Sequence, residues 1–218
     1  MNDGLPETVL HWVIQDQRGF IWVVTYDELS RFDGYSFKTY TYKPTSRKSL
    51  GHNNVSTLLE DSIGRLWISN RRGLELFNPT TEQFQLLATD LNNAAKFRVR
   101  KDGKLWICAQ GIYIANTQTL SIERMTGLPD DYYWDIAEAR DGSLWAAGDN
   151  GVVHIDSKTG RTSVYRHDPN DPTSLSRSHT LSIFIDEQDR VWIGGWGLNL
   201  FDPINKSFTR FLTTNDVR

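Results

Sequence analysis

The 218-residue sequence predicts an all-β fold, a β-propeller built of four-stranded blades with five repeats present. Three observations carry this prediction. A tryptophan motif recurs at nearly even spacing. Each copy sits among three further short apolar segments with turn residues between them. No segment of useful length shows helical periodicity. Four short strands repeated every ~40–50 residues give one blade per repeat.

The motif reads "GFIWVVT", "GRLWISN", "GKLWICA", "GSLWAAG" and "DRVWIGG". Its tryptophans are Trp22, Trp67, Trp106, Trp145 and Trp192, spaced by 45, 39, 39 and 47 residues. Nine residues before each stands an apolar residue: Val13, Leu58, Phe97, Ile136 and Ile183. These mark the first strand of each unit, strand a. Gly19, Gly64, Gly103, Gly142 and Asp189 follow in the a–b turn.

Strand b carries the Trp with apolar residues on both sides. That pattern belongs to an inner strand buried on both faces, so the five tryptophans are expected in the core. Gly194 and Gly195 are expected to turn the chain from strand b toward strand c. Strand c is "LSRFDG", "LELFNP", "IYIAN", "VVHID" and "LNLFDP", ending in Asp-Gly, Asn-Pro or Asp-Pro turn chemistry in three copies.

Strand d is "SFKTYTY", "QFQLLA", "SIERM", "RTSVYRH" and "SFTRFLT". It alternates as a half-exposed outer strand does: Phe208 and Leu212 share a side with Arg210 between them, and Phe211 faces the other way. The blades fall at 9–42, 54–88, 95–125, 132–167 and 180–213 of one propeller domain over 1–218.

Composition narrows the function. The net charge is -3 and no basic run stands out, which argues against a general nucleic-acid binder. A single cysteine, Cys108, allows neither an internal disulfide nor a cysteine zinc cluster. No stretch approaches the ~20 apolar residues of a membrane span. The start "MNDGLPETV" is polar and has no signal-peptide core, so the chain is either cytoplasmic or has its leader elsewhere.

In a propeller the b–c and d–a loops share one face. Ten residues before each Trp stand Trp12, Thr57, Lys96, Asp135 and Ser182, none aliphatic. They read as a polar ring at the channel mouth, either a ligand subsite or a solvated lining. The b–c loops add Tyr26, Asp27, Arg71, Arg72, Gln110, Asp149, Asn150 and Trp196. A pyranose has an apolar face and a rim of hydroxyls, so sugar sites combine an aromatic face with bidentate polar groups.

The candidate ligand set is therefore Trp12, Tyr26, Asp27, Arg71, Arg72, Lys96, Gln110, Asp135, Asp149, Asn150 and Trp196. Solvated loop tips are the competing reading for Arg71 and Arg72. Trp134 reads as packing, and Tyr132 and Tyr133 as weaker site candidates.

Catalysis finds little support. His11, His52, His154, His167 and His179 show no metal spacing, and there is no G-x-S-x-G or phosphate loop. Most aspartates sit in repeat turns, where they cap their own backbone. No catalytic residue, metal or cofactor is assigned.

The first repeat, "VIQDQRGFIWVVTYDELSRFDGYSFKTY", resembles the two-component regulator propeller repeat. The linker "HDPNDPTSLS" resembles that family's inter-blade loop, and "TYKPTSRKSLGHN" is a worn version of it. The sequence departs from the pattern in two ways. The family's Gly-Thr after Trp is nowhere intact, and the first-turn aspartate, kept at Asp16, Asp61 and Asp186, is Arg100 and Ala139 in the other copies.

The resemblance implies a non-enzymatic, extracytoplasmic sensor of a membrane-bound signalling protein. Its output module would be a histidine kinase or a diguanylate cyclase. It implies a seven-bladed propeller of which this chain is an N-terminal part, in the periplasm, reaching the membrane only through segments outside the chain. The expected partners are a small-molecule or oligosaccharide ligand and a second copy, through propeller faces or edges. The alternatives are a closed five-bladed propeller, a dimerisation scaffold, and a propeller lyase or glycoside hydrolase.

Overall fold

The structure is a computed structural model and describes residues 10–25, 28–46 and 48–211. Among these residues there is no helix. Twenty strands form five four-stranded antiparallel sheets, so the fold is the all-β propeller type.

The first sheet runs β1 (Leu10–Gln15), β2 (Ile21–Thr25), β3 (Leu29–Phe32) and β4 (Phe37–Tyr40). The second runs β5 (Val55–Glu60), β6 (Leu66–Asn70), β7 (Gly73–Asn78) and β8 (Gln83–Ala88). The third holds β9 (Lys96–Val99), β10 (Leu105–Ala109), β11 (Gly111–Ala115) and β12 (Ile122–Arg124). The fourth is β13 (Tyr133–Glu138), β14 (Leu144–Gly148), β15 (Gly151–Ile155) and β16 (Thr162–Tyr165). The fifth is β17 (Thr180–Ile185), β18 (Val191–Gly195), β19 (Gly197–Asp202) and β20 (Ser207–Phe211).

Contacts gather these strands into two compact units. One is Met1–Ala109 with Ala115–Ile122, and the other is Gln110–Ile114 with Glu123–Arg218, so the boundary passes through the third sheet. Each unit has its own core.

In the first unit, Trp22, Tyr40 and Phe77 form an aromatic box: Trp22 stacks on Tyr40 at 5.6 Å, and Phe77 stands edge-on to both. Leu29, Leu50, Leu58 and Ile68 fill the space around them. In the second unit Trp145, Tyr165 and Phe201 repeat the box, with Val152, Leu175 and Ile183 around it. Strands β6 and β10 are buried at every residue, as expected for inner strands.

The two inter-blade linkers are built alike. Leu50 and Leu175 are fully buried. Each is followed by a backbone N–H that donates to a buried strand-c side chain: Gly51 to Glu75 at 2.9 Å, and Ser176 to Asn199 at 2.9 Å. A Cβ on Gly51 would stand 1.8 Å from Glu75 Oε1, so the worn linker is obliged to keep glycine there.

Two expectations need correction. Trp192 is only half-buried, unlike Trp22 and Trp67 at 0% exposure. Among the described residues, Phe211 of its own sheet, at 5.9 Å, and Arg190 stack against it. Gly194 and Gly195 do not form the b–c turn; both lie in β18. There they allow close approach, since a Cβ would meet Ser182 Oγ at 2.5 Å and the His179 carbonyl at 2.8 Å. The positive-φ glycine of this hairpin is Gly197, the first residue of β19, at φ 91° and paired with Gly195 across Trp196.

Candidate functional site

A β-bulge begins the first strand in four of the sheets. Pairing skips one residue between Leu10 and Trp12, Val55 and Thr57, Tyr133 and Asp135, and Thr180 and Ser182. A bulge leaves its extra residue unpaired and re-aims the side chain. In the fourth sheet that residue is Trp134.

Trp134 is half-buried, and its Nε1 donates to Asp149 Oδ1 at 2.7 Å. The same oxygen lies 3.2 Å from His179 Nδ1. Asp149 Oδ2 receives no hydrogen bond from a described residue. Tyr132 stands edge-on to Trp134 at 4.8 Å, and His179 is tilted against the Trp134 ring at 5.8 Å. The result is an aromatic platform with a carboxylate and an imidazole at its rim.

The elements around it lock these groups in place. Asn150, the next residue of the b–c turn, donates from its backbone and from Nδ2 to the buried Asp131, both at 3.0 Å. Thr180 follows His179 and is buried; its hydroxyl bonds Gly148 and Gly151 at 3.1 Å, on either side of the Asp149–Asn150 turn. Thr180 also pairs with Gly195 across the fifth sheet, next to Trp196. Ser176 holds the Trp196 carbonyl at 2.7 Å, and the Trp196 ring is 67% exposed. Gln110 is exposed and bridges Tyr132 through the backbone.

Gln110, Asp149, Asn150 and Trp196 of the expected set thus fall in the second unit, around residues that hydrogen-bond or pair with one another. The others are placed differently. Asp135 is completely buried: Oδ1 accepts from Ile136 N at 2.9 Å and Oδ2 from Ile183 N at 3.3 Å, which ties the fourth sheet to the fifth. Trp12 packs against the core of the first unit, and Lys96 is half-buried at the start of β9. Arg71 and Arg72 are exposed at the β6–β7 turn, with Arg72 3.9 Å from the buried Glu75. Tyr26 and Asp27 lie outside the described residues.

Tyr133 belongs to the core: it is fully buried, donates to the Pro129 carbonyl at 3.0 Å, and burial pushes its hydroxyl up to about 12. Sequence reasoning missed Trp134 and His179. Trp134 carried a signal, because its position, eleven residues before the repeat Trp, holds a polar residue or alanine in three other copies, His11, Ser56 and Ala95. Among the described residues no group of three His, Cys, Asp or Glu is placed to hold a metal ion.

The fold and this loop-borne site define a propeller protein whose fourth and fifth sheets display polar and aromatic side chains at the loops joining them. Residues 49–72 and 127–150 match the family described as two component regulator propeller, so the chain carries that repeat. No curated protein matches the sequence.

Among solved structures, the extracellular domain of the hybrid two component system BT3049 from B. thetaiotaomicron is similar at a TM-score of 0.79 and 24% identity, over 95% of this chain and 30% of that one. The extracellular domain of the one component system BT4673 from the same organism gives 0.72 and 20%, over 95% and 31%. Virginiamycin B lyase from Staphylococcus aureus gives 0.67 and 14%, over 96% and 72%. The chain spans less than a third of the length of the first two. At these identities the likeness is one of fold.

Proposed function

We propose that this chain is the extracytoplasmic ligand-sensing propeller of a membrane-bound signalling protein, and that it takes an oligosaccharide on the Trp134–Asp149–His179 platform. Support for the sensor class comes from the repeat match and from the extracellular domains of similar fold. The output module, a histidine kinase or a diguanylate cyclase, would lie outside this chain.

The observation that carries the ligand reading is the single oxygen of Asp149 shared by an indole N–H and an imidazole, beside two aromatic rings. A sugar face stacks on such rings, and the free carboxylate oxygen accepts a hydroxyl. Binding there would bear on Thr180, which ties the platform to both sheets, and so bias their packing. A thermal-shift screen of mono- and oligosaccharides tests it. A stabilising sugar whose shift disappears in Trp134→Ala and Asp149→Ala supports the proposal; a screen without any shift overturns it.

A second reading, a scaffold for self-association, is favoured by one observation. The fifth sheet exposes Phe184 at 65%, Phe211 at 48% and Leu198 at 41%. Exposed apolar groups gathered on one sheet mark interaction surfaces. Its measurement is the molar mass in solution: a dimer that dissociates in Phe184→Asp would support it, and a monomer at all concentrations would remove it.

A further inference from the structure

The second unit holds a cleft of 600 Å³ between the fourth and fifth sheets, lined by Trp145, His154, Arg161, Tyr165, Phe201 and Lys206 among others. These residues are separate from the loop platform. The cleft has a counterpart in the first unit, where the same positions are filled.

Strand register fixes the correspondence. Trp22 pairs with Arg31 and Arg31 with Lys38; in the fourth sheet Trp145 pairs with His154 and His154 with Ser163. Glu82 and Lys206 each precede a fourth strand, both at φ 54°. In the first unit Arg31 covers the Phe20 ring at 4.6 Å. Lys38 and Tyr40 donate to Glu82 at 2.5 Å and 3.3 Å. An ion-pair lid therefore closes the box of Trp22, Tyr40 and Phe77.

In the second unit arginine has become His154, lysine Ser163 and glutamate Lys206, and the lid is gone. The turn aspartate that accepts the Trp22 indole N–H at 2.9 Å is replaced beside Trp145 by Ala139, which also lines the cleft.

The charges at the rim are unequal in what they offer. Asp141 is occupied by Ser143 N at 2.8 Å, Asp156 by Lys158 N and Thr159 N at 3.1 Å and 2.7 Å, and Asp189 by Arg140 N at 3.2 Å. Arg190 is bound to Asp186 at 2.6 Å. Arg161 and Lys206 have no side-chain partner among the described residues. The His154 ring stacks on Trp145 at 4.2 Å. An aromatic wall, an imidazole and two uncommitted cations suit one ligand chemistry.

We propose that this cleft binds a small carboxylate with a flat apolar face, its carboxyl toward Lys206 and Arg161 and its flat face toward the Trp145–His154 stack. The carboxylate takes the place that Glu82 holds in the first unit, with the sign of the protein's own charge reversed.

Calorimetric titration of the purified chain with benzoate and with glucuronate tests the proposal, against benzamide and glucose as uncharged counterparts. The two acids distinguish an aromatic from a sugar body. At least one acid should bind about tenfold or more tightly than its uncharged counterpart. Binding should vanish in the variant His154→Arg, Ser163→Lys, Lys206→Glu, which rebuilds the lid of the first unit, and should persist in Trp134→Ala.

Lys206→Glu alone, at an exposed position, should weaken binding and serves if the triple variant loses its melting transition. No binding of either acid, equal binding of the uncharged pair, or binding that survives Lys206→Glu would overturn the proposal. Loss in Trp134→Ala would also overturn it, by moving the acid to the loop platform.

Discussion

The indole N–H of Trp67 donates to Oδ2 of Asp61 at 2.9 Å, six residues upstream and across the a–b turn. The same carboxylate accepts from Ile63 N, Arg65 N and Arg65 Nε. Trp22 with Asp16 and Trp192 with Asp186 repeat the bond at 2.9 Å. One aspartate thus closes the turn and fixes the tryptophan.

Asp61→Ala should therefore cost more than loss of an ordinary turn residue. It strands a buried indole N–H and the turn amides, and about 2–4 kcal/mol is expected. Trp106 supplies the contrast: Arg100 replaces the aspartate, lies 4.2 Å over the ring, and leaves Nε1 without a partner already. Arg100→Ala should cost about 1 kcal/mol or less. Urea unfolding of both variants measures the difference.

Asp186 predicts an acid-sensitive fifth repeat. Burial raises its carboxyl, but bonds from Trp192, Arg190 and Gln188 outweigh that and lower it to about 2. A group held below its unfolded value of 3.8 contributes stability above that value and loses it as pH falls toward 2. Asp186→Asn should be less stable than wild type at pH 6, and the gap should shrink between pH 4 and pH 2 (approximate bounds set by those two values). Denaturant midpoints across that range read it directly.

His154 acts in the same direction at a higher pH, because its folded pKa is also lowered. Burial lowers its pKa from 6.5, against the nearby Asp156 and Asp141 and with Lys206. Below 6.5 the unfolded chain takes up the proton first, so stability should fall as pH drops from that value toward the folded pKa. His154→Gln should flatten this dependence. An imidazole titration by NMR should show the folded ring titrating below 6.5.

Gly51 is a steric prediction. A Cβ there would stand 1.8 Å from Glu75 Oε1 and 2.6 Å from Arg72 Cδ. Gly51→Ala should destabilise the first unit by about 1–3 kcal/mol. In the second unit the equivalent position is already Ser176, where Asn199 replaces the glutamate and a Cβ is accommodated; Ser176→Ala keeps the backbone bond but loses the hydroxyl's bonds to Trp196 O and Asn199 Nδ2, a polar cost of about 1–2 kcal/mol in place of a steric one. Thermal melts of the two variants decide it.

The repeat determined what depends on local chemistry. The turn aspartate and the tryptophan lie six positions apart, so the turns and the strands they join were legible at Asp16, Asp61 and Asp186; the indole bond to the aspartate came only from the structure. Asp149 and Asn150 were legible as b–c turn residues for the same reason. Burial by neighbouring sheets was not. Val13 and Leu58 occupy one motif position, yet Val13 is 54% exposed and Leu58 2%.

The candidate site divides along the same line. Its turn residues followed from the repeat. Trp134 and His179 reach Asp149 from 15 and 30 positions away, through a bulge and a staple at Thr180 that no periodicity encodes. The open cleft beside Trp145 exists because three substitutions, in two strands and one turn, remove one lid, and only the packed sheets bring those positions together.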